Sequence, residues 1–147
     1  MIVLRRAVAA DAPAIVALFR RSRAVLTFLP ELHTADEDLW FVRTVLIGEQ
    51  RVTLAERDGR LLGFMAEHAG WITQLYLDPE VRRSGVGSAL LADARARNEE
   101  LTLWCFAQNT AARAFYDAQG FVVVEATDGA GNEAQLPDVR YWWRRGG

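Results

Sequence analysis

A short apolar strand that runs into a glycine-rich turn and then a helix constrains this chain more than any other feature. The strand is Trp71-Ile72-Thr73-Gln74-Leu75-Tyr76-Leu77, stopped by Asp78-Pro79 because proline forces the residue before it out of helical geometry. The helix is expected from about Val86 to Asn98, with Val86, Ala89, Leu90 and Ala94 at helical spacing and Asp93, Arg95 and Arg97 on the other side. Between them lies Arg82-Arg83-Ser84-Gly85-Val86-Gly87, followed by Ser88. A helix N-terminus offers unpaired N–H groups and positive potential, and glycine removes the Cβ that would hold an anion away. The segment therefore reads as an anion cradle, with Arg82 and Arg83 adding charge beside it.

Two familiar cradles do not fit. A nucleotide P-loop needs GxxxxGK[ST], and no lysine follows these glycines. A dinucleotide fingerprint needs a third glycine where Leu90 stands, and it opens a βαβ unit instead of following a meander. A third reading is a pyrophosphate site of the kind that holds coenzyme A. Arg82-x-x-Gly85-x-Gly87, after a strand ending Leu-Tyr-Leu-Asp-Pro, resembles motif A of the GNAT superfamily of N-acetyltransferases. Taken alone the hexapeptide is equally an ordinary tight loop with surface arginines.

A second resemblance lies downstream. Leu101 to Phe106 reads as a buried strand, and Asn109 to Gly120 as a helix with Asn109 at its N-cap and Gly120 just past its end. Asn109-x-x-Ala112-x-x-x-Tyr116, then Gly120-Phe121, is similar to motif B of the same superfamily. In that family the asparagine contacts the coenzyme, and the tyrosine often protonates the departing coenzyme A thiolate. Both motifs stand in family order.

The remaining elements agree with this resemblance. Met1 to Ala7 reads as a strand, and Asp11 as the cap of a helix with Ile15, Leu18, Phe19 and Leu26 on one face. Thr34-x-x-Glu37 is a capping box opening a helix through Leu39, Trp40, Val42 and Leu46. Val52–Arg57 and Leu61–His68 are strands joined by Asp58-Gly59, and Ala69-Gly70 turns the chain into Trp71–Leu77. Phe121–Glu125 and Val139–Arg144 are the last strands, separated by a polar loop. The order βααβββαβαββ is that of an α/β (α+β) fold, and the resemblance implies a mixed, largely antiparallel sheet with helices on both faces. It further implies a splay between the strands at 71–77 and 101–106.

Composition sets the outer bounds. With 147 residues, 51% of them hydrophobic, the chain is expected to form a single domain over 1–147. A net charge of −2 makes no global electrostatic case for nucleic acid or an anionic membrane. Arg20-Arg21-Arg23 and Arg144-Arg145 are local clusters, either solvated or in contact with an acidic acceptor or the coenzyme's 3′-phosphate. Cys105 is the single cysteine, read as a buried strand residue. There is no signal-peptide pattern and no apolar run of membrane-spanning length, so a cytoplasmic location is expected. Two widely separated histidines and one cysteine make no metal site, and no nucleophile triad is apparent.

The resemblance implies an acetyl-CoA-dependent transfer to a primary amine by direct attack in a ternary complex, with no metal. Backbone groups at Leu75, Tyr76 and Leu77 would hold the pantetheine and the thioester oxygen. Ser84, Gly85, Val86, Gly87 and Ser88, with Arg82 and Arg83, would take the pyrophosphate, and Asn109 another part of the coenzyme. Tyr116 is the expected general acid, since a phenol stays protonated at neutral pH. Many relatives place a glutamate five residues before the motif B asparagine, where this chain has Trp104. Glu67 is the candidate base instead, with His68 and His33 as alternatives, or none if water carries the proton away. Phe28–Asp36 and the last loop and strand, including Tyr141 to Trp143, would wall the acceptor site. The acceptor is a small amine or a peptide or protein amine, the assembly a monomer or homodimer. A noncatalytic acyl-CoA-binding regulatory module is the alternative of a different class.

Overall fold

The computed structural model describes residues 1–81 and 84–147, so the expected coenzyme contacts Arg82 and Arg83 lie outside the described residues. Seven strands form one sheet in the order β1-β2-β3-β4-β5-β7-β6. They are β1 (Val3–Arg6), β2 (Arg51–Arg57), β3 (Arg60–His68), β4 (Trp71–Leu77), β5 (Glu100–Phe106), β6 (Val122–Thr127) and β7 (Asp138–Arg144). The helices are α1 (Ala12–Ala24), α2 (Ala35–Trp40), α3 (Val86–Arg97) and α4 (Thr110–Ala118), and α2 continues as a π-helical stretch, Phe41–Ile47. This is the expected element order and class. β1 to β4 make an antiparallel meander, and Asp58-Gly59 and Ala69-Gly70 turn it with φ of 52°, 77°, 51° and 84°. Positive φ at both central residues is the hairpin geometry that matches strand twist.

Two cores lie on opposite faces of the sheet. On one, α1 and the π-helical stretch cover Val52, Leu54, Phe64 and Ala66 through Ile15, Leu18, Phe19, Val42 and Leu46. On the other, α3 and α4 cover Met65, Ile72, Leu101, Leu103, Cys105 and Tyr141 through Val86, Leu90, Leu91, Ala94 and Tyr116. Strict alternation would put Ile72 and Leu75 on opposite faces. The register between β3 and β4 slips at Ala66/Glu67, leaving Thr73 as the extra residue of a bulge. The bulge returns Leu75 and Leu77 to the α3 face and turns Tyr76 toward Phe19 and Phe64.

Local sequence chemistry explains most helix ends. Thr34 Oγ1 accepts from the Glu37 N–H at 3.1 Å and the Glu37 carboxylate accepts from the Thr34 N–H at 2.8 Å, a complete capping box. Asn109 Oδ1 accepts from the Ala112 N–H at 3.2 Å, and Gly120 follows α4 with φ 87°. Asp11 corrects the expectation of a side-chain cap. A 3-10 turn over Ala9–Asp11 precedes α1, and the Asp11 carboxylate instead accepts from the Val8 N–H and from Arg5.

The end of α3 is clamped to the sheet by charge. Glu67, on β3 and 8% exposed, accepts from Arg97 and from Asn98 Nδ2. Arg97 also holds Asp93 one turn back at 2.6 Å. Removing the cation strands a buried carboxylate, which costs more than neutralising the carboxylate itself. Arg97→Ala is therefore expected to lower stability by ~1–3 kcal/mol, and Glu67→Gln by less. Chemical denaturation of the two variants checks the order, and the reverse order would remove the clamp from the account.

Candidate active site

The site begins with backbone that has no partner. β4 and β5 are parallel neighbours, yet Trp71 and Thr102 are the single paired position between them. β5 is paired along its whole length on its other side, with β7. The two facing edges therefore diverge toward Leu77 and Phe106, leaving N–H and C=O groups of both strands open to a ligand. Unpaired backbone in a sheet interior is costly, so such a gap is a place for strand-like hydrogen bonding. Its wide end meets the start of α3.

The start of α3 is uncapped. Gly85 holds the N-cap position at φ 87°, ψ 0° with no side chain bonded to the helix, and its carbonyl accepts first from Ala89. The N–H groups of the first turn are left for an anion. Among the described residues a Cβ on Gly85 would meet nothing within 4 Å, which leaves space over the turn for a phosphate. Gly87 corrects the expectation that both glycines clear the cradle. It is buried, and a Cβ there would press on Phe115 Cζ at 3.1 Å. Gly87 sets how closely α3 approaches α4; Gly85 sets the turn. Val86 is buried and offers backbone alone. Ser84 Oγ donates to the Val81 carbonyl, and Ser88 Oγ accepts from Gln119 at 3.0 Å.

Tyr116, on α4, is buried on the α3 side of the sheet. Its ring packs on Phe115, Phe121 and Tyr141 with centroids 5.3, 5.6 and 5.5 Å away. Burial pushes its phenol well above the ordinary tyrosine value, with smaller contributions from Cys105 on β5 and Tyr76 on β4. Burial likewise pushes the Cys105 thiol up to about 11, so it remains a neutral core side chain at pH 7. Asn109 keeps Oδ1 for its cap, leaving the amide nitrogen for another partner.

On the opposite face the sheet carries a cleft of about 1130 Å³ between α1, the α1–α2 segment and the β6–β7 loop. Phe19, Arg23, His33, Trp40, Gln74 and Glu133 are among its lining residues. Trp40, named from sequence among the apolar residues of the second helix, is 62% exposed and forms part of this wall. Tyr141 and Trp143, two of the expected wall residues, are corrected in the other sense. Tyr141 is fully buried against Tyr116, and Trp143 stacks on Phe121 under Arg95, all on the α3 side. Glu67 is corrected too: its carboxylate is held under α3 by Arg97, across the sheet from the cleft, which does not suit a base for an amine arriving there. Trp104 is 42% exposed and lines a smaller pocket of about 520 Å³ with Glu125, Thr127 and Asp138. Glu133 carried no sequence signal. It meets His33 Nε2 at 2.8 Å across 100 residues and ties the α1–α2 segment to the last loop. Among the described residues, no group of His, Cys, Asp and Glu could hold a metal ion and no helix is long and apolar enough to cross a membrane.

Gly85→Asp is expected to fold, because aspartate tolerates left-handed backbone and caps helices, while repelling phosphate. Coenzyme A affinity should fall by at least about tenfold on that charge alone, read by calorimetry, with a melting temperature near wild type. Unchanged affinity would place the coenzyme elsewhere. The Glu133 carboxylate raises the His33 pKa above its ordinary value, with Glu37 and Asp38 adding less. A raised value means that the contact is fully present below the ordinary imidazole pKa and is lost as pH climbs through the raised one. NMR titration should show the His33 pKa falling back toward 6.5 in Glu133→Gln.

Comparison with known proteins gives the arrangement a family. The model of the acetyltransferase (GNAT) domain matches residues 48–123. Peptidyl-lysine N-acetyltransferase YjaB of Escherichia coli is 34% identical over 146 residues, 96% of this chain and 97% of the relative. Peptidyl-lysine N-acetyltransferase YiaC of the same organism is 32% identical over 103 residues, 69% of each chain. The solution structure of apo YjaB superposes with a TM-score of 0.80 at 27% identity, covering 97% of both chains. YncA of Salmonella typhimurium, a putative acetyltransferase solved with acetyl-CoA, shares the fold at a TM-score of 0.69 and 21% identity, covering 97% of this chain and 93% of that one. A strand gap that opens onto an uncapped helix, a family model over the residues that build both, and a relative similar along nearly the whole length agree: this chain belongs to the GNAT family, acyl-CoA-dependent N-acetyltransferases whose co-substrate is acetyl-CoA.

Proposed function

We propose that this protein, acting as one domain, moves the acetyl group of acetyl-CoA directly onto the side-chain amine of a lysine in a peptide or protein. The observation that carries the reading is the gap between β4 and β5, with Tyr116 in the core on the α3 side and a cleft on the far face. A thioester lying in that gap has its acyl carbon open to the cleft and its sulfur toward the phenol. The two relatives named as peptidyl-lysine N-acetyltransferases support the choice of lysine.

The chemistry then needs little beyond placement. The amine enters uncharged and attacks the thioester carbon, and backbone N–H groups at the end of β4 receive the oxyanion. The added nitrogen loses its proton to water in the cleft. The carbon–sulfur bond breaks, and the thiolate takes the Tyr116 proton; solvent restores that proton as the products leave. Burial keeps the phenol protonated across the neutral range, so it rests as a donor and not as a base. Ser84, Gly85, Val86, Gly87 and Ser88 hold the pyrophosphate chiefly through backbone N–H, Leu75, Tyr76 and Leu77 the pantetheine through their backbone, and Asn109 a further polar group of the coenzyme.

Tyr116→Phe tests the assignment because it removes the hydroxyl and keeps the packed ring. Turnover with a lysine peptide should fall ~10²-fold or more, with coenzyme affinity and melting temperature near wild type. Tyr116→Ala should instead destabilise by ~3–5 kcal/mol through a cavity. Full activity in the phenylalanine variant would move the acid role to another group. Coenzyme binding without transfer to any lysine peptide by the wild type would favour a noncatalytic module.

A further inference from the structure

Three arginines of α1, Arg20, Arg21 and Arg23, line the same cleft, and the structure gives them different fates. Arg20 is neutralised twice: it donates to Asp38 at 2.7 Å and to Glu31, and it also reaches the His33 carbonyl at 3.3 Å. Those bonds pin the α1–α2 segment to α1. Arg21 donates to the nearly buried carboxylate of Asp78 at 3.1 Å, next to Arg60. Arg23 has no carboxylate partner among the described residues. It donates to the Tyr76 hydroxyl at 3.3 Å and lies over the Phe19 ring, its guanidinium carbon 5.1 Å from the centroid. Both contacts fix the guanidinium, and neither cancels its charge.

The acids of the cleft are already occupied. Glu31 and Asp38 hold Arg20, Glu37 closes the capping box with Thr34, and Glu133 holds His33. Arg23 is thus a positioned cation with spare donors, in the wall where an acceptor must lie. Tyr76 and Phe19 place it on the α1 face, whereas the uncapped start of α3 belongs to the opposite layer. A guanidinium with free donors binds carboxylate best, through charge-assisted and often paired hydrogen bonds.

We propose that Arg23 is a specificity-determining residue that selects peptide acceptors carrying an acidic side chain beside the reacting lysine. The assignment rests on the lysine-directed transfer proposed above. Its test uses three peptides, acetylated at the N-terminus and amidated at the C-terminus, in which one lysine is flanked by aspartates, glutamines or arginines. Peptide affinity for the protein saturated with coenzyme A is measured by calorimetry, and transfer from acetyl-CoA by thiol release. The aspartate peptide should bind the wild type roughly tenfold more tightly than the glutamine peptide, the scale of one partly solvated charge-assisted hydrogen bond. Arg23→Gln should erase that ratio and Arg23→Lys should keep part of it. Arg23→Met, which retains an apolar stem over Phe19, repeats the measurement if the glutamine variant folds poorly. An unchanged ratio in the variants, or equal affinities in the wild type, overturns the inference. So does a loss that falls on coenzyme A affinity and spares the peptides. Acid-selective binding that depends on Arg23 without transfer to any peptide upholds the inference and sinks the lysine acetylation on which it was built.

Discussion

The proposed function depends on two neighbouring strands that pair at one position and then part. β4 and β5 meet at Trp71 and Thr102 and then part, so backbone donors and acceptors that a sheet would normally consume stay available. The separation is held open from both sides. β5 is committed to β7 along its full length, and β4 is committed to β3 with a bulge at Thr73 that changes its twist. A flexible thioester arm can then bind by completing the sheet, a mode that asks little of side-chain identity at Leu75, Tyr76 and Leu77.

The gap also divides two electrostatic environments. On the α3 side, burial holds Tyr116 protonated and pushes Cys105 up to about 11, so the one sulfur nucleophile near the gap stays inert beside an activated acyl group. On the α1 side the surface is charged and open, with Arg20, Arg23, His33 and Glu133 within one cleft. In the proposed reaction the sheet separates a dry layer that holds the proton donor from a wet layer in which an amine can lose its protons. Gly87 contributes through packing: without a Cβ it lets Phe115 close on α3 and hold α4, with Tyr116, under the strands.

What the chain reveals in one dimension follows the range of each interaction. Caps and turns are settled within a few residues, so Thr34 with Glu37, Asn109 with Ala112, and the turns at Asp58-Gly59 and Ala69-Gly70 stand where local chemistry puts them. The same local logic placed the glycine turn at Gly85, because positive φ and an uncapped helix start are properties of a short segment. Local logic failed where a residue could serve two roles. Asp11 is a good cap by type, yet Arg5 and the Val8 N–H claim its carboxylate. Glu67 is a plausible base by type, yet Arg97 claims it.

Sequence by itself therefore determined the order of elements and most of their ends, and it named the glycine turn and the tyrosine on which the proposed function rests, since hydrogen-bonding capacity and backbone freedom belong to residues and their near neighbours. Tertiary structure alone decided which face each side chain meets. The Thr73 bulge put Leu75 and Leu77 under α3, Trp40 came to line the cleft, and Tyr141 went to the core instead of the cleft. It alone brought Glu133 to His33 and left Arg23, of three neighbouring arginines, without a counter-ion among the described residues. Charge pairing and burial depend on chain segments far apart in sequence, and only the folded packing brings those segments to the same place.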